Sequence, residues 1–434
     1  MVADELIDEL KTWLEENWDP DLTVAQWWEL LGLAGWSAPN LPTNAYGKGV
    51  SRNDAVRVGQ TIAEFGALGA PAGLGLLLAA PTIATHGTQE QIDLYVRDIV
   101  TGQKAWCQLF SEPGAGSDLA GLTCKAELDG EEYIVNGQKV WTTFGHEGDL
   151  GMLIARTNPE VPKHQGISWF ACDMHQPGVE VRPLVEMTGH ALFNEVFLTD
   201  AVVPASALIG ELNNGWAVTN TTLMNERAGL GTGGSGGGGG AAPGTVVGNL
   251  PKRAGDFARK VEPKKEKKFT KPGEPVGAAK LLIDVAKGNG TNTDPHIRQG
   301  LVKLHVLNEL GRFNGLRSKA ARAVGRDIPG MANIGKLSMS DSMRLGRDLS
   351  LQIVGPQGML HSYKGGAAQD AIVAATGNPL LPGLLYQALW AQGPPIYGGT
   401  DQIQRNIIGE RVLGLPKEAN NDKTAKFSEL PKNA

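Results

Sequence analysis

The stretch Ile396-Tyr-Gly-Gly-Thr-Asp-Gln-Ile-Gln-Arg-Asn406 decides how the rest of the chain is read. Two adjacent glycines, Gly398 and Gly399, lead into a run in which Ile403, Ile407, Ile408, Val412 and Leu413 recur at helical spacing up to Pro416. A Gly-Gly turn at a helix start leaves N–H groups free and lets a ligand approach the backbone closely. Alone, such a junction is usually a plain cap. Two other segments, Ser111–Asp118 and Asn225–Arg227, give it a context.

Bulk numbers set the frame. At 434 residues the chain exceeds what one hydrophobic core covers, so two or three subdomains are expected. Charged residues at 20%, an apolar set at 41% and a net charge of −6 describe an ordinary globular chain with no case for nucleic acid as the main partner. Cys107, Cys124 and Cys172 are too few and too scattered for a disulfide framework or a zinc site, so a reducing, cytoplasmic setting is expected. The acidic amphipathic start lacks the basic flank of a signal peptide. Residues 67–84 carry no charge, but Pro71, Pro81 and several glycines favour a buried helix pair over a membrane span.

Along the chain, Leu6, Leu10, Leu14 and Trp18 fall four apart, and further helices are expected over 24–33, 53–64 and 89–100. From Trp106 the texture alternates as in strands: 123–128, 133–135, 140–143, 152–156, 166–172, 179–183 and 195–198. The pairs Asp129-Gly130, Asn136-Gly137 and Pro177-Gly178 read as turns between them. Helices return at 216–227, 278–287, 297–326 and 337–354 with the texture of a bundle. The expected division is a helical domain over 1–105, an antiparallel β domain over 106–212 and a helical bundle over 213–418, with a tail over 419–434. Residues 229–292 hold a Gly-rich run and a Lys-rich run, read as a flexible surface insertion, with a lid, a basic arm or a docking loop as alternatives. The polar tail is expected to fray.

The chemistry-bearing residues cluster in few places. In Phe110-Ser-Glu-Pro-Gly-Ala-Gly-Ser-Asp118, Gly114 and Gly116 free the backbone, while Ser111 and Ser117 add hydroxyls. This stretch resembles the signature of the acyl-CoA dehydrogenase family. Asn136–Thr143, Met187–Gly189 through Asn194–Phe197 with Val203-Pro204, Gln352–Gly355, and Tyr397–Arg405 with Val412–Pro416 continue the resemblance in the family's order.

That resemblance implies a fold that is mainly α with a central β domain: an N-terminal helical domain, an antiparallel β domain and a C-terminal four-helix bundle, assembled as a dimer or dimer of dimers. The cofactor it implies is FAD. By the same resemblance, the ring contacts of FAD carry over to Gln108, Phe110, Ser111, Trp141 and Thr143. Its diphosphate contacts carry over to Gly116, Ser117, Thr400 and Gln402. Gln352 and Gly355 match a segment that reaches the adenosine end of a neighbouring subunit's FAD, with Pro356 where a second glycine is common. The family's Arg-x-x-Phe adenine contact has no clean equivalent, and Arg298 lies nearby.

The implied reaction is α,β-dehydrogenation of an acyl-CoA, with a carboxylate taking the α-proton and hydride passing to the flavin N5 atom. Electron-transfer flavoprotein is the expected acceptor. Many members carry the base immediately before the Gly-Thr of the opening stretch, where this chain has Gly398. The Gly398 and Gly399 backbone could still face the thioester. A branch with isovaleryl- and long-chain-type enzymes places the base in a Glu-Arg pair, matched here by Glu226 and Arg227. Ser117 and Arg227 are the expected substrate contacts, and the bland alternative for Glu226 is a solvated helix carboxylate. Glu112 is expected to cap or pair within its loop, and Asp401 to cap a helix. The rival function is a non-catalytic subunit of a hetero-oligomeric dehydrogenase acting on bulky acyl-CoA, and a third is an oxidase.

Overall fold

The computed structural model describes residues 3–230, 240–258, 274–275, 277–417, 422 and 424–431. They divide into two compact units. The first takes the described residues of 1–184, 192–265 and 420–434, and the second those of 185–191 and 266–419.

The first unit begins with the helices Ala3–Asn17, Val24–Leu33 and Arg52–Phe65. Thr23 and Gln26 form a reciprocal capping box that starts the second of these. Leu6, Leu10, Leu14, Val24, Trp27, Trp28 and Leu31 share one buried cluster. The indole N–H groups of Trp27 and Trp28 donate to the carbonyls of Leu68 and Gly69, at 2.7 and 2.8 Å. Those carbonyls are free because residues 67–73 are not helical, so the expected helix pair is a loop followed by one helical run over 74–86. No helix among the described residues is long and apolar enough to cross a membrane.

An eight-stranded sheet follows. Its strands are β1 (Trp106–Leu109), β2 (Lys125–Asp129), β3 (Glu132–Thr143), β4 (Leu150–Arg156), β5 (Ile167–Asp173), β6 (Val179–Leu184), β7 (Phe193–Pro204) and β8 (Leu208–Ile209). Their order is β6-β7-β3-β2-β4-β5-β8, with β1 beside β4. Pairing is mainly antiparallel, the exceptions being β1 with β4 and a single β2–β4 contact. Gly130 and Gly178 adopt the positive φ that the Asp-Gly and Pro-Gly turns require.

Asn136-Gly137 is not a turn. β3 runs through it as one strand of 12 residues with irregularities at two points. A Cβ on Gly137 would lie 2.6 Å from Cys124, so the glycine serves a close crossing. The Asn136 amide instead pairs with the Asp200 side chain across the strands.

Two other expectations change. Residues 240–258 of the expected flexible insertion pack on the first unit. The backbone N–H groups of Val24 and Ala25 donate to the carbonyls of Lys252 and Leu250 at 2.8 and 3.0 Å, and Ala241 and Ala254 are buried. The Gly-rich 231–239 and Lys-rich 259–273 lie outside the described residues. The tail, expected to fray, places Phe427 at 8% exposure against the β domain.

The second unit is a bundle. Helices Gly277–Asn289, Pro295–Ala323, Met331–Val354 and Leu381–Trp390 share the buried Ala279, Leu282, Leu301, Leu304, Leu349, Ile353, Leu384 and Leu385. The helix Gly215–Leu230, expected to open the bundle domain, packs instead on β5 and on the helix Ala80–His86. Thr222 and His86 anchor it, through Thr82 at 3.0 Å and Thr221 at 2.8 Å.

The two glycine environments give a stability test. Gly137→Ala is expected to cost about 1–3 kcal/mol by forcing the Cys124 crossing apart. At Gly116 an added Cβ would meet nothing within 4 Å, so Gly116→Ala is expected to stay within about 0.5 kcal/mol. Urea midpoints of the two variants check this order, and equal losses contradict it.

Candidate functional site

The site in the first unit rests on a buried ion pair. Lys139, in the middle of β3, and Glu112, just beyond β1, have side chains 0% and 4% exposed and meet at 2.8 Å. Lys139 also donates to the Phe110 carbonyl at 3.2 Å. Glu112 accepts from the Thr123 N–H and hydroxyl and from the Cys124 N–H, at 2.7–3.0 Å. Burial by itself would raise the Glu112 pKa, but Lys139 and these donors outweigh it and hold the carboxyl below its usual range. Glu112 therefore pairs, as expected, but with Lys139 of β3 and with Thr123 and Cys124 rather than within its own loop.

The pair pins Phe110–Glu112 against β3. Ser111 adds a bond of its own, its carbonyl accepting from the Val140 N–H at 2.9 Å. The residue after Val140, Trp141, has φ 61° and presents an indole that is 61% exposed, touched at its edge by Phe193. Thr143 is half-buried at the strand end, beside Phe144, which also has positive φ and is exposed. Gly116 and Ser117 are exposed.

Glu226 stands in the last part of the helix Gly215–Leu230, half-buried, and the structure brings it to Gln108 of β1. The Gln108 amide donates to Glu226 Oε2 at 3.4 Å. Desolvation raises the Glu226 pKa, partly countered by the Gln108 bond and the Arg227 charge. It is not a freely solvated helix carboxylate. Arg227, its neighbour, is exposed. Burial pushes the thiols of Cys107 and Cys124 up to about 12 and about 11, so neither competes as a nucleophile.

The remaining expected site residues lie in the second unit. Gly398 and Gly399 have φ 62° and 78° and form the turn before the helix Asp401–Ile407. Thr400, not Asp401, is the cap, its hydroxyl accepting from the Ile403 N–H at 3.2 Å. Asp401 is buried and binds Lys336 at 3.1 Å and Arg344 at 3.0 Å, because two cations of the helix Met331–Val354 converge on it. Gln404, which no motif singled out, holds the turn by donating to the Gly398 and Gly399 carbonyls at 3.0 and 3.3 Å. Gln402 is exposed, as are Gln352 and Gly355 at the C-terminal end of the helix Met331–Val354. At 1.5 Å per residue, Gln352 is roughly 12–24 Å along that helix from Arg344 and Lys336. Arg298 lines a separate cavity of about 340 Å³ with Lys287, Asn292 and His305.

Comparison with known proteins places these segments. Models of the acyl-CoA dehydrogenase N-terminal, middle and C-terminal domains match residues 1–103, 107–201 and 278–413. The acyl-CoA dehydrogenase IpdE1 of Mycobacterium tuberculosis is 32% identical over 395 residues, covering 91% of this chain and 88% of IpdE1. The chain belongs to the acyl-CoA dehydrogenase family. FadE34 of the same organism, also an acyl-CoA dehydrogenase, is 34% identical over 388 residues, which cover 89% of this chain. The match spans 46% of FadE34, about half of that protein's length.

Among solved structures, the Tcur3481-Tcur3483 steroid ACAD has a similar fold, with TM-score 0.65 and 23% identity over 96% of this chain and 98% of that one. The ChsE4-ChsE5 complex of Mycobacterium tuberculosis gives TM-score 0.63 and 23% identity, with coverage of 96% and 98%.

FAD is the cofactor of this family, and the residues present fit it. An uncovered indole at Trp141 suits a flat aromatic ring, and the open backbone at Gly116 suits a diphosphate.

Glu226 gives a pH-dependent prediction. Its raised pKa means the folded state holds the proton more tightly than the unfolded chain. The stability it contributes is present below the unfolded value of about 4.3 and is lost as pH rises through the folded pKa. Glu226→Gln is therefore expected to match wild type in apo-protein Tm near pH 4, and to exceed it by roughly 1–2 °C above pH 7. Scanning calorimetry across that range checks the sign, and a lower Tm for the variant at pH 8 would contradict it.

Proposed function

We propose that the chain is an FAD-dependent dehydrogenase that removes the α- and β-hydrogens of an acyl-CoA thioester, with Glu226 as the base. The observation that carries this is the Glu226–Gln108 contact beside the ion-paired Phe110–Glu112 loop. A carboxylate whose pKa is raised by burial matches the proton-transfer task better than a solvated one. In the turn before the helix Asp401–Ile407, Gly398 offers no side chain for that task.

Each group of residues has its own task. FAD, when bound, would supply the acceptor for the hydride. In the first unit Gln108, Phe110, Ser111, Trp141 and Thr143 would hold its ring, and Gly116 and Ser117 its diphosphate; in the second, Thr400 and Gln402 match family positions for a diphosphate. Glu226 receives the α-proton. Its half-buried position keeps the carboxylate poorly hydrated and so a better base. Arg227 and Ser117 bind substrate. The Gly398 and Gly399 N–H groups of the second unit match family positions that would polarise a thioester oxygen, which lowers the cost of forming the carbanion.

The substrate class we favour is a bulky acyl-CoA such as a steroid side-chain thioester, since one neighbour in fold is the Tcur3481-Tcur3483 steroid ACAD. An electron-transfer flavoprotein is the proposed acceptor.

A second reading, a subunit of a hetero-oligomeric dehydrogenase, has support of its own. One neighbour in fold is the ChsE4-ChsE5 complex, and another, Tcur3481-Tcur3483, carries two component names. Here the helix Pro295–Ala323 exposes Val302, Val306, Leu310, Phe313 and Leu316 in one stripe at spacings of four and three residues. A continuous apolar stripe of this kind suits a partner helix. Gln352 and Gly355 would then serve a cofactor shared with the partner.

Anaerobic mixing decides between them. The purified protein is expected to be yellow and to bleach on adding acyl-CoA. Glu226→Gln is expected to stay yellow and to bleach at least 100-fold more slowly, the usual worth of a general base. Retained bleaching in the variant would sink the role of Glu226. Protein that is colourless alone and yellow only with an unlike partner would favour the second reading.

A further inference from the structure

The described tail residues lie beyond the C-terminal family match, which ends at 413, and they converge on two buried cations. Lys163, between β4 and β5, has a side chain only 6% exposed. Its ammonium meets both Asp118 oxygens, at 2.9 and 2.8 Å, and the tail's Asp422 at 2.9 Å. Three N–H donors thus face three carboxylate oxygens. Burial works against this charge, but the bonds to Asp118 and Asp422 outweigh it and raise the Lys163 pKa.

Arg156, at the end of β4, is 4% exposed. Its guanidinium donates to the carbonyls of Lys163 and Ala120 at 2.6 Å and of Leu122 at 3.3 Å. The guanidinium also lies over the Phe427 ring, 3.8 Å from its centre. Phe427 is fixed by its own N–H on the Val161 carbonyl at 3.0 Å, and Ser428 by its N–H on Pro159 at 2.9 Å.

The two cations hold opposite sides of one short segment. Lys163 takes Asp118 at the end of the Phe110–Asp118 loop, and Arg156 takes Ala120 and Leu122 just after it. Each cation is closed off by a tail residue, Asp422 on Lys163 and Phe427 on Arg156. A buried cation that loses one of its partners is strongly disfavoured, so the tail governs how firmly both cations grip the loop.

We propose that Asp422 and Phe427 are positioning residues for the candidate site. Acting through Lys163 and Arg156, they hold Gly116 and Ser117 in the arrangement that receives the cofactor diphosphate and the thioester. The proposal rests on the flavin-binding reading of this loop. Neither residue touches the reacting groups, so their effect is on the geometry and mobility of 114–122.

Amide hydrogen exchange on the full chain tests it. The Ala115, Gly121 and Leu122 N–H groups donate to the carbonyls of Glu112, Asp118 and Leu119 at 3.0, 2.9 and 3.2 Å, so they report on the loop. In Asp422→Asn and Phe427→Ala these amides are expected to exchange tenfold faster or more, with no change in the core strand β5. FAD affinity, read from the fluorescence of released flavin, is expected to fall about tenfold in parallel. Lys426→Ala, which removes only the exposed pair with Glu160, is expected to leave both unchanged.

Exchange at the three amides unaltered in both tail variants would overturn the proposal. So would faster exchange with FAD affinity intact. A wild type that never binds FAD would instead defeat the flavin reading of the loop, and the exchange comparison would still decide whether the tail holds it.

Discussion

The ion pair between Lys139 and Glu112 is the constraint on which the candidate site depends. It joins three pieces of chain distant in sequence: the loop after β1, the middle of β3 and the entry to β2. Removing either partner would leave a buried charge without compensation, a loss on the order of 3–5 kcal/mol. The geometry matters as much as the energy. Lys139 also binds the Phe110 carbonyl, so the segment from Phe110 to Glu112 cannot shift against Trp141 without breaking the pair.

From that fixed point the site is built outward. β1 carries Gln108 two residues before Phe110, and Gln108 is the group that meets Glu226. The helix that bears Glu226 is anchored independently, by Thr222 on Thr82 and by Thr221 on His86. The carboxylate therefore stands on a packed helix and faces a strand locked by the ion pair. The loop beyond Glu112 leaves this scaffold at Pro113 and is gripped again at Asp118 and Ala120 by Lys163 and Arg156. Between the two grips lie Gly116 and Ser117.

Much of this was legible in the sequence where local pattern and final environment agree. The helices over 3–17, 24–33 and 52–65 and the alternating strand β7 followed from periodicity, because each buries one face. β4 and β5, buried on both faces, were legible instead from their β-rich composition. Glu112 could be read as a pairing residue from its place in a tight loop. Lys139 could not. In an alternating strand a lysine reads as solvent-facing, and only its contact with Glu112, 27 residues away, makes it a buried residue. Asp401 failed for a similar reason. Thr400 and Asp401 are both good caps, and the choice was made by Lys336 and Arg344 more than fifty residues earlier. Residues 240–258 and the described tail residues were misjudged because polar or Gly-rich composition reports weak self-packing and is silent about docking on a surface formed elsewhere. The site assignments came from motif resemblance, and the geometry adds the Glu226–Gln108 contact to them.

Glu226 is the proposed base, and Gly398 carries no side chain that could serve as one. That role is tested most directly by removing the redox step from the measurement. An acyl-CoA whose β-carbon carries no hydrogen can lose its α-proton but cannot be dehydrogenated. Incubated in D2O with the FAD-loaded protein, it is expected to take up deuterium at Cα with wild type and to do so at least 100-fold more slowly with Glu226→Gln. Deuterium uptake at equal rates in the two proteins would contradict the account.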